Sequence, residues 1–155
     1  MTEETNQAPA QEEPKDAILR IYLKDVSLET PNSPKVFIQK FNPEVNLQLD
    51  TVAKMIDEDI YEVVLNMTVT AKQGEKTGFL VEIQQAGLFS VKGFDEAQKD
   101  RILGVRCPNT LFPYAREAIS DLVTKGGFPP LLLAPFSFGA MYDEKAAEKA
   151  RKAAS

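Results

Sequence analysis

The chain has 155 residues, 43% of them hydrophobic, with 18 Lys and Arg against 23 Asp and Glu, a formal net charge of −5 and a sequence pI of about 4.9. That balance excludes phosphate neutralisation as a main mode of binding, so no nucleic-acid partner is expected, and it disfavours anionic lipid while permitting a basic partner. With no histidine and a single cysteine, Cys107, the chain lacks the commonest general base and metal ligand and can form neither an internal disulfide nor a cysteine zinc site.

Residues 1–15, MTEETNQAPAQEEPK, carry almost nothing to bury and are expected to be a disordered acidic tail. They have no apolar core, so they do not read as a secretory signal, and no apolar run approaches the ~20 residues of a membrane span. A soluble cytoplasmic protein is the expectation. A first strand is predicted from Ala17 to Glu29. Leu19, Ile21 and Leu23 share one parity, whereas Val26 and Leu28 share the other, which predicts a bulge near Lys24-Asp25. Thr30 to Pro34 reads as a loop by its prolines.

Phe37 to Asp50 contains a second strand, in which Val45, Leu47 and Leu49 alternate with Asn46, Gln48 and Asp50. The third strand, Ile60 to Ala71, puts Tyr61, Val63, Leu65, Met67, Val69 and Ala71 on one face. Lys72 to Lys76, with Gly74, predicts a hairpin turn. A fourth strand from Thr77 to Val91 sets Phe79, Val81 and Ile83 against Leu80, Glu82 and Gln84 on the opposite face.

Helices follow the strands. Asp95 to Leu103 reads as a short helix. Pro108-Asn109 is a turn dipeptide, Asn109 or Thr110 is the expected cap of a second helix, and Pro113 falls in its first turn. Phe112, Ala115, Ile119 and Leu122 share a face, and Gly126-Gly127 ends the helix near Lys125. Phe128 to Tyr142 is an irregular, proline-broken apolar segment, and residues 143–155 form an Ala/Lys/Glu tail, helical or flexible. Strands first and helices after predict an α+β arrangement in one domain over residues 16–142.

Several stretches together resemble SecB, the bacterial protein-export chaperone family: RIYLKDVSLETPNSP, NPEVNLQLD, YEVVLNMTVTA, FLVEIQQAGLFSV, CPNTLFPYARE and GGFPPLLLAPFSF, in this order and spacing. The resemblance covers most of Ile18 to Phe138 and neither tail. It implies a four-stranded antiparallel sheet with helices on one face, assembled as a homotetramer, a dimer of dimers. It implies an ATP-independent chaperone, not an enzyme and without cofactor, that binds unfolded secretory preproteins and delivers them to the translocase motor SecA.

Three residue groups follow. Asp25 and Glu29 share a parity, about 13 Å apart at the strand rise, and Leu80 and Glu82 share the outward parity of the fourth strand. Parity alone describes a solvated face; the resemblance makes these positions the receiver of the basic, zinc-bearing tail of SecA, with any zinc held by the partner. Phe37, Phe41, Val45, Leu47, Leu49 and Phe128, with Leu131 to Leu133, are candidates for a client groove or for plain core. Phe41 stands where the family usually has tryptophan. Val81, Ile83 and Gln85 are assigned by the resemblance to subunit association, the alternative being core beneath a helix. Cys107, without a histidine partner, reads as a small buried side chain. A hotdog-type thioesterase is a rival of similar size, but its long helix comes early and is wrapped by later strands.

Overall fold

The computed structural model describes residues 13–154, so most of the expected disordered tail lies outside the described residues. Four strands, β1 (Lys15–Glu29), β2 (Glu44–Asp57), β3 (Ile60–Gln73) and β4 (Lys76–Lys92), form one antiparallel sheet in the order β1-β4-β3-β2. Two tight turns join the last three strands: Glu58-Asp59, where Asp59 takes a φ of 57°, and Gly74-Glu75, where Gly74 takes 63°. The connection from β1 to β2 must instead cross the whole sheet, about 14 Å at the usual strand spacing. It does so through a 3-10 turn at Lys35–Phe37, with Val36 buried in the core.

The bulge expected near Lys24-Asp25 is present: Leu23 pairs with Gln85 and Asp25 with Gln84, leaving Lys24 as the extra residue. A second bulge leaves Leu19 unpaired between Ile18 and Arg20. Leu19 therefore drops out of the expected apolar stripe and stands exposed. The second strand also runs seven residues beyond its expected end at Asp50, because Thr51 to Met55 and Asp57 pair with β3 up to the tight turn, with Ile56 bulged between.

The helical part corrects the sequence reading most. Asp95 caps α1 (Glu96–Arg101) in a reciprocal capping box with Gln98. A π-helical turn, Ile102–Arg106, then leads without a break into α2 (Cys107–Lys125). Pro108-Asn109 is thus no turn, and neither Asn109 nor Thr110 is a cap. Pro108 follows the π-helical turn directly, and Pro113 lies inside α2 instead of in its first turn. The Thr110 hydroxyl donates back to the Arg106 carbonyl instead. Cys107, Leu111, Phe112, Ala115, Ala118, Ile119 and Val123 are buried against β3 and β4.

Gly126-Gly127 ends α2 as expected. Gly127 has a φ of 91°, its N–H reaches the Thr124 carbonyl, and the Phe128 N–H reaches that of Val123. An irregular stretch runs from Phe128 to Ser137, whose side chain caps α3 (Phe138–Ala153). The helix starts five residues before the expected tail at Asp143, anchored by Phe138, which is buried against Phe112. Farther along, Tyr142 packs over Gly104 and donates to Asp100, while Arg101 pairs with Asp143.

Candidate functional site

The helices cover one face of the sheet and leave the other open. Register fixes which residues share the open face. Across β1, β4, β3 and β2, one row reads Glu29, Leu80, Thr70, Asn46; the next, Ser27, Glu82, Thr68, Gln48; the next, Asp25, Gln84, Asn66, Asp50. The sheet therefore brings Asp25, Glu29, Leu80 and Glu82 together on two neighbouring strands, with the three carboxylates exposed and Leu80 half-buried. Asp50 completes the same face from the far edge. Its parity was legible, but its row was not, because only the strand order puts it in line with Asp25.

The open face changes character in the next rows. Tyr22 lies beside Ala86, and the row beyond holds Arg20, Leu88, Glu62 and Lys54. Tyr22 and Lys24 both reach across β4 to Glu62 on β3: the phenol donates to one carboxylate oxygen and Lys24 Nζ to the other at 2.8 Å. The hydrogen bonds from Lys24 and Tyr22, with the nearby lysine charges, hold the Glu62 carboxyl below its usual range against a smaller opposing effect of burial. Burial, then the Glu62 hydrogen bond and charge, push the Tyr22 phenol up to about 12.

The apolar candidates gather at the other side of the molecule, where the crossover meets the end of α2. Phe128 sits at the centre of a ring cluster, with centroids 5.2 Å from Phe37, 5.8 Å from Phe41 and 5.1 Å from Phe79. Phe128 itself is buried, so it forms the floor. Phe37 at 49% and Val45 at 45% exposure face solvent, and Phe41, Leu47 and Leu49 are half-buried beside them. Leu131 and Leu133 pack on the core, while Leu132 is 79% exposed. The tip of the Phe41 ring meets Gly78, whose missing side chain leaves room for it. A cleft of about 290 Å³ opens beside Phe41 and Val36, rimmed by Lys35, Lys40 and Lys76.

Val81, Ile83 and Gln85 face the helices and are almost wholly buried in the single chain. Gln85 donates from its amide to the Tyr22 carbonyl at 3.1 Å. They are core here and offer no surface to another subunit, because β4 is an inner strand beneath α2. The exposed apolar side chains next to them belong to β1: Ile18, Leu23 and Val26, which pair with Phe89, Gln85 and Ile83. Sequence parity could have found this stripe once β1 was placed at an edge.

Cys107 is buried, and burial first, then the Asp16 charge, push its thiol up to about 12 despite the opposing Arg106 charge. It stays protonated near neutral pH, which denies it the thiolate that nucleophilic or ligand chemistry needs. Among the described residues, no cluster of His, Cys, Asp or Glu is arranged to hold a metal, and no helix is long and apolar enough to cross a membrane.

Comparison with known proteins places this geometry. The family model described as preprotein translocase subunit SecB matches residues 9–149. The protein-export protein SecB of Nitrosococcus oceani is 56% identical over 131 residues, covering 83% of this chain and 80% of that protein. The SecB of Alkalilimnicola ehrlichii is 50% identical over 143 residues, covering 91% and 76%. Among solved structures, a SecB-like chaperone of Mycobacterium tuberculosis in complex with a ChAD peptide from the HigA1 antitoxin superposes with a TM-score of 0.67 at 20% identity, over 79% of this chain and 91% of that one. That likeness carries the fold, and the sequence relatives carry the lineage: the chain belongs to the SecB family.

Proposed function

We propose that the protein is a cytoplasmic, ATP-independent chaperone of protein export. It holds unfolded secretory preproteins in a translocation-competent state and delivers them to SecA, working as a homotetramer built as a dimer of dimers. The observation that carries this reading is the division of labour between surfaces. Exposed Phe37 and half-buried Phe41 lie against a floor of buried aromatic rings, with exposed Val45 and Leu132 adding apolar surface that can accept many sequences because burial needs no particular hydrogen-bond partner. The opposite, open face of the sheet is polar and acidic, with Asp25, Glu29 and Glu82 around Leu80. Opposite charge steers and orients a basic partner such as the zinc-bearing SecA tail.

Assembly is supported by apolar surface that a single chain leaves open. Ile18, Leu23 and Val26 on edge strand β1 are exposed, and an open hollow of about 340 Å³ is lined by Phe94, Ile102 and Val105, tied to β1 by the Arg106–Asp16 ion pair. Val81, Ile83 and Gln85 take part in association indirectly, by fixing the position of β1 against α2.

The test is whether the purified protein, without nucleotide, delays refolding of a denatured secretory precursor. Light scattering at micromolar concentration should give about four times the 17.2 kDa chain mass. A strict monomer refutes the assembly, and a requirement for ATP in client capture refutes the mechanism.

A further inference from the structure

We infer that Glu62, two strands away from Asp25, is a positioning residue for partner binding: with Tyr22 and Lys24 it clamps the β1 bulge that turns Asp25 and Glu29 onto the open face. This rests on the reading of that face as the SecA platform. Before the bulge, the odd-numbered residues Ile21 and Leu23 face the helices; after it, the even-numbered Val26 and Leu28 do. The same sequence paired without the bulge would keep its parity, sending Asp25, Ser27 and Glu29 under the helices and Val26 and Leu28 into solvent. The acidic platform therefore exists because one residue, Lys24, is looped out.

Bulges leave the ladder locally unpaired, and this one lies on an edge strand with nothing beyond it in the sheet. What holds it is lateral. Lys24 Nζ lies 2.8 Å from one Glu62 oxygen, and the Tyr22 hydroxyl bonds the other. The Glu62 side chain is only 15% exposed and accepts from two donors that flank Leu23, so it holds both the strand just before the phase change and the looped-out residue itself. Ala86, fully buried and small, lies beside Tyr22 on the intervening strand and lets the phenol pass over to β3. From within the sheet, the Gln85 amide bonds the Tyr22 carbonyl. Glu62 is not in a row with the platform carboxylates; it touches them only through the bulge.

The experiment uses the full chain and the zinc-loaded SecA tail peptide, titrated calorimetrically at low and high salt. Lys24→Ala separates the clamp from simple electrostatics by sign. Removing a cation beside Asp25 should tighten a basic peptide if charge alone matters; loss of the clamp should loosen it, by about fivefold, the scale of a partly exposed ion pair. Glu62→Ala should loosen it similarly at both salts, whereas Glu62→Gln, which keeps an acceptor, should recover most of the affinity. Tighter binding by Lys24→Ala overturns the inference. Asp25→Lys tests the platform itself. If that variant binds as the parent does, the platform reading fails, and the clamp is then judged by hydrogen exchange: faster exchange from Val26 to Glu29 in Lys24→Ala and Glu62→Ala supports it, and unchanged exchange overturns it.

Discussion

Replacing Gly78 by alanine tests how the aromatic groove is built. A Cβ at position 78 would stand 2.2 Å from the Phe41 ring tip and within 3.0 Å of two further ring carbons, so the ring must leave. Phe41 is half-buried, and burying a whole phenylalanine side chain is worth about 1.5–3 kcal/mol, so its departure forfeits about 1 kcal/mol. Losing the contact with Phe128, 5.8 Å between centroids, forfeits roughly another 1 kcal/mol. Against this, alanine in a strand recovers about 0.5–1 kcal/mol of the backbone entropy that glycine loses on folding. Gly78→Ala should thus destabilise by about 1 kcal/mol. In a Phe41→Ala background, with no ring to displace, the same change should stabilise by about 0.5–1 kcal/mol. The double-mutant cycle should therefore show a coupling of about 2 kcal/mol, measured by urea denaturation at fixed protein concentration so that assembly does not shift the midpoint. Coupling below about 0.5 kcal/mol, the usual scatter of independent sites, would refute the claim that Gly78 exists to seat Phe41. Gly78→Ala should also weaken client holding while leaving the acidic face unaffected.

The other predictions address the remaining surfaces. Asp25→Lys and Glu82→Lys should each weaken binding of the zinc-loaded SecA tail by roughly tenfold, the scale of a reversed charge at a docking surface, with client capture largely intact; equal affinity for both variants would make the face merely solvated. Phe41→Glu with Leu47→Glu should impair client holding more than SecA binding, since a carboxylate buried against an apolar client is costly. Circular dichroism and assembly mass come first, and a folded double variant that still delays refolding moves the groove toward Phe128 to Phe138. The Tyr22–Glu62 pair sets two pH limits. Tyr22 holds its proton more tightly when folded, so its contribution is intact below about pH 10 and fades as pH rises toward about 12. Glu62 is the reverse case, its contribution present above the usual carboxylate range and lost as pH falls through its lowered value. Ultraviolet titration should show Tyr22 ionising about two units late, and Glu62→Leu should lower it only in part, by removing the acceptor and its charge while burial, the larger cause, remains.

The sheet was legible because β3 alternates without interruption, so Tyr61 through Ala71 declare their face by parity alone. The phase change from Leu23 to Val26 gave away the bulge, and with it the outward aim of Asp25 and Glu29. The run past Pro108 was not legible. A π-helical turn is a change in hydrogen-bond partners with no side-chain signature, and Pro108-Asn109 reads locally as a turn whether or not a preceding helix absorbs it. The end of β2 was missed because Val52, Met55 and Ile56 do not alternate cleanly; pairing of Val52, Met55 and Asp57 with β3 decides it, with Ile56 bulged between. Asp50 and the exposed β1 stripe were hidden for a different reason. Strand order is a long-range property, and parity says which face a residue takes but not which neighbours share it. For the same reason parity left Val81, Ile83 and Gln85 open between core and subunit contact, and the strand order makes β4 an interior strand.

Strand order also sets a timetable for making the molecule. β2, β3 and β4 follow one another through tight turns and can zip together as each leaves the ribosome. β1 is synthesised first, yet among the described residues it pairs with β4 alone, which is complete at Lys92. At ~5–20 residues per second, the stretch from Glu29 to Lys92 takes roughly 3–13 s. Throughout that interval Ile18, Ile21, Leu23, Val26 and Leu28 hang on an unpaired segment, the kind of apolar, strand-prone stretch that aggregates. Lys15, Arg20, Lys24, Asp25 and Glu29 interrupt it with charge, so the residues that later divide the open face into acidic and basic rows first serve as gatekeepers for a nascent chain waiting for its partner.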